Sequence, residues 1–441
     1  MNKKPKNRIL DKGQLLMLGL GLLCVLALLL LVKPGAPDAD PVPAATVAAT
    51  PFPAPEGLRI AVGSDLHLDP DHEGEAGGGG HVSYNLELVD ALLWDAKEQG
   101  AEMILLTGDL VNGGKPHRHQ ALVEKLRGAE AEGLIVYVLP GNHDLAPIGQ
   151  RDFAALYGEF GYDEAYSLDA ASLSYCVKLD GLMLLMMDTA GYSVSAIDLP
   201  GAPGSDSDDA FLTEETLRWA EGLLRQAQEE GLRVLVAGHY NLLPEICQTP
   251  GSGFHVDNGP RFAELLRAYD VPIYLSGHMH VPAVYQEEGL TELLTGYLLS
   301  YPAAYSILDL TDSSLRYTPR RIDVDAWANQ TGQTDPALLH FARWQQEGLR
   351  SYSTANVEYM TQRNPLGKTE AKQAADFFYA AMDAYWSGTL IQQRAALEAM
   401  PGYGPFFRCA EGYAYGWWLR DLMENSSPLL SGFTLEWEPL S

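Results

Sequence analysis

The sequence predicts an α/β fold that carries an apolar segment near the N-terminus and a helical region at the C-terminal end. Three observations support this prediction. Short apolar runs alternate with segments of helical periodicity, one long apolar run lies near the start, and helical spacing takes over after residue 325. Because 441 residues exceed what one hydrophobic core usually organises, we expect two folded units with attachments.

The apolar run of residues 15–32 predicts a transmembrane signal anchor. As a helix it would reach about 27 Å, close to the hydrocarbon thickness of a bilayer. The preceding residues 1–14 are rich in lysine and arginine, which places them in the cytoplasm and exports the rest of the chain. The alternative is a secreted protein after cleavage of a signal peptide, whose apolar core is usually shorter, about 7–15 residues. Residues 33–56 are rich in proline and alanine and predict an extended stalk.

The composition excludes some functions. A formal net charge of −28 disfavours binding to nucleic-acid polymers, because such binding needs a basic surface. A small phosphoester whose charge is screened by metal ions remains compatible, since a site can oppose the net charge of its domain. Four cysteines without CxxC spacing disfavour a disulfide scaffold, redox chemistry and thiolate metal sites.

Five apolar runs predict buried strands, and a polar motif follows each of them. Helical periodicity in residues 86–97 and 120–132 separates the first three, which is typical of β/α units. Ligands of such folds gather beyond the carboxyl ends of the strands, where these motifs lie. The runs are residues 58–62, 103–106, 134–139, 234–236 and 273–275.

The five motifs supply carboxylate, amide and imidazole side chains. This set suits Mn, Fe or Zn better than Ca, and it is large enough for two ions that share a carboxylate at a separation of about 3.5–4 Å. The motifs are Asp65-x-His67, Gly108-Asp109, Gly141-Asn142-His143-Asp144, Gly238-His239 and Gly277-His278-Met279-His280.

In this order the motifs resemble the signature of calcineurin-like metallophosphoesterases. Softer matches in residues 107–114, 160–162 and 172–175 resemble exported class III cyclic-nucleotide phosphodiesterases that carry a C-terminal helical domain. The resemblance implies a four-layer α/β/β/α sandwich over residues 57–325 and two divalent metal ions. It assigns one ion to Asp65, His67, Asp109 and His280, and the other to Asp109, Asn142, His239 and His278.

The same resemblance implies how the site would work. His143 would contact the phosphoryl group and act as a general acid, and Asp144 would orient the His143 imidazole. A hydroxide that bridges and is acidified by both ions would attack phosphorus. The identity of the metal stays open, because Mn, Fe and Zn all accept these ligands.

Loops around the motifs offer weaker candidates. Asn112, His81 and His255 are predicted to contact substrate, and His117 and His119 are open to the same interpretation or to simple solvation. The acidic and glycine-rich residues 69–80 form either a gate or an ordinary surface loop. Asp188 follows another apolar run and either supports a ligand or is purely structural.

After the last motif, residues 301–310 and 314–322 alternate like the strands of a hairpin. Residues 326–441 then predict a helical domain. Its first helix begins at Asp335-Pro336, with further helices over 369–386, 390–400 and 406–423. Its many aromatic residues favour a bundle core over a binding platform, and they leave any protein partner unknown.

The leading functional hypothesis is metal-dependent hydrolysis of a small phosphodiester, such as a cyclic nucleotide, outside the cell membrane. Phosphomonoesterase or pyrophosphatase activity on nucleotides or lipid-linked headgroups is the first alternative, since the same centre supports it. A non-enzymatic cell-surface binding module is the second alternative. Export would separate the site from intracellular signalling nucleotides, so 2′,3′-cyclic products of RNA breakdown are a further hypothesis.

Overall fold

The computed structural model describes residues 57–72, 81–190, 210–243, 255–425 and 432–436. The predicted cytoplasmic segment, membrane anchor and stalk, residues 1–56, lie outside the described residues, as does most of the glycine-rich loop, residues 73–80. Among the described helices, none combines the length and apolar character that crossing a bilayer requires.

The first sheet has six strands in the order β13-β12-β11-β1-β2-β3. β1, β2 and β3 run parallel, whereas β11 pairs antiparallel with β1 and continues into an antiparallel β12 and β13. The hairpin predicted from the alternating residues after the last motif is therefore confirmed. The strands are β1 (Leu58–Gly63), β2 (Met103–Thr107), β3 (Ile135–Leu139), β11 (Ala304–Leu310), β12 (Ser314–Arg321) and β13 (Phe433–Glu436).

The second sheet has seven strands in the order β4-β5-β6-β7-β8-β10-β9. β6, β7, β8 and β10 run parallel, and antiparallel strands complete both edges. The strands are β4 (Ser167–Leu168), β5 (Tyr175–Leu179), β6 (Leu182–Met186), β7 (Arg233–Ala237), β8 (Ile273–Ser276), β9 (Ala283–Glu287) and β10 (Leu290–Leu294).

Helices connect the parallel strands. The two predicted between the first three strands are present, and the second begins earlier than predicted, at Pro116, because proline suits the first turn of a helix. The helix after residue 213 begins at a Thr213 cap, where Thr213 Oγ1 accepts from the Thr216 amide at 3.0 Å. The helices are α1 (Asn85–Glu98), α2 (Pro116–Ala131), α3 (Gly149–Leu156), α4 (Glu214–Glu230) and α5 (Gly259–Ala268).

The apolar runs become strands because burial on both faces favours continuous apolar sequence. All five residues of β2 and all five of β6 are buried. The predicted mixed α/β fold with two sheets is therefore confirmed, and the order of its four layers stays a prediction.

The last part of the chain is a helical region that follows β12. An additional helix, which sequence reasoning missed, begins at Asp323, whose side chain accepts from the Ala326 amide at 3.0 Å. Its members are α6 (Val324–Thr331), α7 (Pro336–Leu339), α8 (Phe341–Thr361), α9 (Lys368–Trp386), α10 (Leu390–Glu398), α11 (Tyr403–Cys409) and α12 (Ala414–Asn425).

Two helix predictions in this region need correction. The predicted single helix over 406–423 is two helices, because the chain turns at Gly412 with φ of +76°, which glycine adopts at little cost. The helix predicted from Asp335 does begin there, with Asp335 Oδ1 accepting from the Ala337 amide at 2.8 Å. It ends after one turn, and α8 follows from Phe341.

Aromatic side chains fill the core of the helical region. Phe377, Phe378 and Phe406 are buried, and the rings of Phe378 and Phe406 stack with centroids 4.9 Å apart. Burial of such rings supplies much of the stabilisation of a small bundle. The predicted core role is confirmed for these residues, whereas Trp417 is 48% exposed.

Candidate dinuclear metal site

The two sheets bring the carboxyl ends of their parallel strands together, and the five motifs meet there. Within the first sheet, the Asp65 amide donates to Gly108 O at 3.0 Å and the His67 amide to Asp109 O at 2.9 Å. Across the sheets, the His278 amide donates to Asp65 Oδ2 at 3.0 Å. Backbone contacts thus position the motif side chains around one space.

Three overlapping clusters of potential ligand atoms lie in this space, and within each cluster the atoms are no more than 4.8 Å apart. Asp109 belongs to two clusters, since its Oδ2 lies 3.4 Å from His67 Nε2 and its Oδ1 lies 3.5 Å from His239 Nε2. The clusters are Asp65 with His67 and His280, His67 with Asp109 and His143, and Asp109 with His239 and His278.

Asn142 completes the set, with its Oδ1 3.1 Å from His239 Nε2. The structure therefore brings all seven predicted metal ligands together, with Asp109 between the two halves. We call Asp65, His67 and His280 the open half-site, and Asn142, His239 and His278 the deep half-site. The division of these ligands between two ions stays a prediction.

The residues fit divalent metal ions. Nε2 of His67 is buried and has no hydrogen-bond partner among the described residues, which is uncommon unless another group occupies the partner's place. Burial lowers the pKa of His67 and of His278 to about 3, so both imidazoles are neutral and keep a lone pair for a metal. Carboxylate, amide and neutral imidazole together suit Mn, Fe or Zn.

The backbone at the ligands is unusual. Five of them have positive φ angles, a region that residues other than glycine rarely adopt. Such conformations cost about 1–3 kcal/mol each and cluster at functional sites, where the surrounding structure holds them. The angles are 53° at Asp65, 41° at His67, 49° at Asp109, 65° at His278 and 60° at His280.

Two motif positions require glycine because side-chain atoms of neighbouring residues lie too close for a Cβ atom. At Gly108 a Cβ would lie 2.6 Å from His239 Nδ1, and at Gly277 it would lie 1.8 Å from Ser64 Oγ. No side chain fits at either position without displacing a ligand or its neighbour.

Asp109 and His239 form the buried centre of the deep half-site. Burial by itself would lower the pKa of His239, but the Asp109 carboxylate opposes it and raises the pKa to about 9. In the absence of metal a protonated His239 therefore balances Asp109, and metal binding would release this proton. The His239 Nδ1 lies 2.9 Å from Thr107 O, which directs Nε2 towards Asp109.

His143 lies on the open side of the site. Its side chain is 38% exposed, and its ring packs edge-on against His67 with centroids 4.8 Å apart. Its backbone amide donates to Asp109 Oδ1 at 2.9 Å. The ring is therefore accessible to a molecule that approaches the ligands, as its predicted role requires.

The predicted contact between Asp144 and the His143 imidazole is wrong. The Asp144 carboxylate is buried and accepts from the backbone amides of Gly141 at 2.8 Å, Val111 at 3.0 Å and Leu110 at 3.1 Å. It joins the loops that follow β2 and β3, because its two oxygens accept from amides of both loops. Burial raises the pKa of Asp144 to about 7.

Asn112 lies next to the site, but its side chain has a partner. Its Nδ2 donates to Asp69 Oδ2 at 3.0 Å, and the same oxygen lies 2.8 Å from Arg118 Nη1. Both Asp69 and Arg118 are buried, so this group fixes the loop beyond His67. Sequence reasoning missed it, although a polar residue two positions after His67 is a usable indication.

The other loop candidates lie outside the metal clusters. His119 is buried between the Tyr157 hydroxyl at 2.8 Å and Asp144 O at 2.9 Å, which makes it structural. His117 forms an exposed pair with Asp71 at 2.9 Å.

His255 forms a β-bridge with Asn241, two residues after His239, and it belongs to none of the ligand clusters of the described residues. His81 begins a short 3₁₀ turn, and its side chain lies outside the described part of the chain. Asp188 accepts from the Leu173 amide at 3.0 Å, in keeping with a structural role.

Three supporting residues lie outside the motifs. Tyr297 stacks on His280, and Tyr240 packs over His278, each with ring centroids 4.1 Å apart. Glu292 is buried beneath the loop that follows His239. Only Tyr240, which directly follows the Gly-His motif, had a position that could have indicated its role.

Known proteins match both parts of the chain. A sequence profile described as Calcineurin-like phosphoesterase matches residues 58–282, just over half of the chain. A second profile, described as the C-terminal domain of cyclic nucleotide phosphodiesterase, matches residues 323–425. A probable cyclic nucleotide phosphodiesterase from Synechococcus sp. is 25% identical over 292 residues, which cover 65% of this chain and 96% of that protein.

Solved structures match at low sequence identity. A dimetal phosphatase from Danio rerio matches with a TM-score of 0.45 and 12% identity, over 60% of this chain and 96% of that one. Purple acid phosphatase PPD1 from yellow lupin matches with a TM-score of 0.41 and 13% identity, over 60% of this chain and 51% of that one.

Proposed function

Because this chain belongs to the calcineurin-like phosphoesterase family, we propose that it hydrolyses phosphodiester bonds of a small molecule, with cyclic nucleotides as the leading substrate class. The observation that carries the proposal is the convergence of seven predicted metal ligands around Asp109. No single motif would support it, since a lone histidine after a strand is usually structural.

The proposed cofactors are two divalent ions, Mn, Fe or Zn. Asp65, His67 and His280 would hold one ion, Asn142, His239 and His278 would hold the other, and Asp109 would contribute to both. When bound, such ions supply Lewis acidity, which lowers the pKa of bound water and neutralises charge on the phosphoryl group.

The protein side chains then position and protonate the substrate. His143 is exposed beside His67, so its imidazole can donate a hydrogen bond to a phosphoryl oxygen and a proton to the leaving oxygen. The backbone of His143 is fixed by Asp109, and the preceding loop is fixed by Asp144. The imidazole therefore meets the substrate with little loss of conformational freedom.

Two observations favour a small diester. The residues after 323 match a domain that is described from a cyclic nucleotide phosphodiesterase, and the Synechococcus relative carries a name of the same kind. The net charge of −28 disfavours polymeric nucleic acids, as set out above.

We further propose that residues 15–32 anchor the protein in the cell membrane, with the catalytic part outside the cytoplasm. The apolar run and the basic residues before it support this topology. An exported site would act on external nucleotides, among which 2′,3′-cyclic products of RNA breakdown are candidates. Membrane fractionation and protease accessibility in intact cells test the topology, and a soluble, protected protein contradicts it.

A substrate panel tests the proposed activity. The purified full-length chain, in detergent with Mn²⁺, is assayed on 2′,3′- and 3′,5′-cyclic nucleotides, mononucleotides, pyrophosphates and bis(aryl) phosphates, with Asp109→Ala as the blank. We expect turnover of at least one diester that exceeds turnover of the monoesters. Activity confined to monoesters or pyrophosphates would replace the diesterase proposal with its alternative, and activity equal to the blank would refute both.

A further inference from the structure

One tyrosine contacts two ligands of the open half-site. The Tyr297 ring stacks on His280 with centroids 4.1 Å apart and an interplanar angle of 12°, and it meets the His67 ring edge-on at 5.4 Å and 88°. Both geometries are favourable for aromatic pairs. Among the described residues, the ring contacts of His280 are with Tyr297 and His67 alone.

The His280 ring lacks the support that His239 has. The His280 side chain is 27% exposed, and its Nε2 lies 3.2 Å from Asp65 Oδ1. By contrast, His239 is fully buried and its second ring nitrogen meets Thr107 O. An outer partner of this kind usually fixes the orientation of a metal-binding imidazole. For His280, the stacked face of Tyr297 takes that place.

Tyr297 is itself held in position. Its backbone forms a β-bridge with Ser64, the residue before Asp65, and its carbonyl accepts from the Ala304 amide at 3.4 Å. A Cβ at the preceding Gly296 would lie 2.7 Å from the Ala304 Cβ, so the loop is tightly packed. The stacking partner of His280 is therefore anchored to the same strand end that carries Asp65.

The helical region packs against the loop that carries His280. Gly388, which follows α9 and has φ of +66°, approaches so closely that a Cβ would lie 2.6 Å from Pro282 O. Pro282 lies two residues after His280, so the helical region limits how far this loop can move. Tyr297 and Gly388 together enclose the segment that carries His280.

We propose that Tyr297 is a positioning residue for the open half-site, where its ring orients His280 for metal binding and its hydroxyl is dispensable. The hydroxyl makes no hydrogen bond with any described residue, which leaves the ring face as its contact with the ligands. This inference rests on the proposed two-metal function. It predicts that Tyr297 affects one ion and leaves the other unchanged.

The test measures Mn²⁺ binding to the full-length chain by calorimetric titration and by metal analysis after dialysis. We expect Tyr297→Leu to weaken one of two sites about tenfold, the lower range for loss of an outer partner, and to leave the other site unchanged. Tyr297→Phe keeps the stacked ring and should retain both affinities. Tyr359→Leu, at a tyrosine that is 57% exposed in α8, is the matched control and should bind like wild type.

Tyr297→Met is a second variant without an aromatic ring, used in case the leucine variant does not fold. Its unbranched side chain of similar length fills the space left by the ring. Circular dichroism confirms folding before each titration, and the methionine variant should show the same selective loss. Wild-type affinity at both sites in a folded Leu or Met variant overturns the inference, as does an equal loss in Tyr297→Phe. A wild-type chain that binds no Mn²⁺ overturns the inference together with the proposed function, whereas two normal sites in every variant overturn the inference alone.

Discussion

The two halves of the site differ in how their histidines are held. In the deep half-site, His239 is fully buried and its ring is fixed by Thr107 O at 2.9 Å. In the open half-site, the His280 side chain is 27% exposed and its ring is held by the face of Tyr297. A backbone hydrogen bond restrains one histidine and an aromatic contact restrains the other.

Because of this difference, we expect the two histidines to contribute differently to the stability of the fold and to metal binding. Loss of the fully buried His239 leaves buried polar groups without their partner, and it should therefore destabilise the fold. Loss of the partly exposed His280 should mainly weaken metal binding. The exposed His143 lies on the open side, beside His67, so substrate is expected to approach from there.

The largest effect is expected where the two halves meet. Asp109→Ala removes the carboxylate that lies beside both His67 and His239, so both proposed ions would lose a ligand. We expect the catalytic efficiency to fall at least about 1000-fold, because charge stabilisation by two ions is worth several kcal/mol.

Initial rates on the best diester and the Mn content of the purified protein measure this effect. Asp180→Ala, at an exposed aspartate between β5 and β6, is the matched control and should keep normal activity. Normal turnover in Asp109→Ala would show that the two halves do not share this carboxylate.

A pair of alanine substitutions tests the contrast itself. In chelator, His239→Ala should lower the free energy of unfolding by about 2 kcal/mol, because Thr107 O loses its contact at 2.9 Å and the buried Asp109 carboxylate loses a neighbouring imidazole. His280→Ala should lower it by less, about 1 kcal/mol, because the His280 side chain is 27% exposed and gives up mainly its stacking on Tyr297. Urea unfolding of the metal-free proteins measures both, and equal losses would remove the distinction between the halves.

Much of the site could be predicted because its information is local. Each ligand follows an apolar run that is long enough for a buried strand, and parallel strands of an α/β fold end at a common edge. His67 and His280 lie 213 positions apart in the chain, but each was identified from the few residues around it. The glycines beside Asp109 and His278 are part of the same local pattern, and the structure explains them by close approach.

The supporting residues could not be predicted, because they depend on distant contacts. Tyr297 reaches His280 only because the loop after β10 pairs with Ser64 of the other sheet. The sequence predicts a contact between Asp144 and an imidazole, but in the structure its carboxylate accepts from three backbone amides of two loops. Sequence periodicity does not predict which of several possible partners a side chain contacts in the folded protein.

The smallest predicted effect is a pH-dependent change in stability due to Glu292, whose side chain contacts segments next to the deep half-site. Its carboxylate accepts from Ser276 Oγ and the Leu243 amide, each at 2.7 Å, and from Asn241 Nδ2 at 3.0 Å. These contacts join the segment before His278 to the loop after His239. Burial raises the pKa of Glu292 from 4.5 to about 7, although the hydrogen bonds oppose the shift.

A raised pKa means that the folded state holds a proton that the unfolded state releases, so stability falls as the pH rises from 4.5 towards 7. Between about pH 5 and about pH 6 the loss should be about 1 kcal/mol for this single group. Glu292→Gln cannot titrate, so the wild-type free energy of unfolding minus that of the variant should shrink by this amount over the interval. Urea unfolding in chelator at both pH values measures the difference. A constant difference would mean that Glu292 keeps the same protonation state throughout the interval, and the deep half-site would then owe none of its pH dependence to this carboxyl.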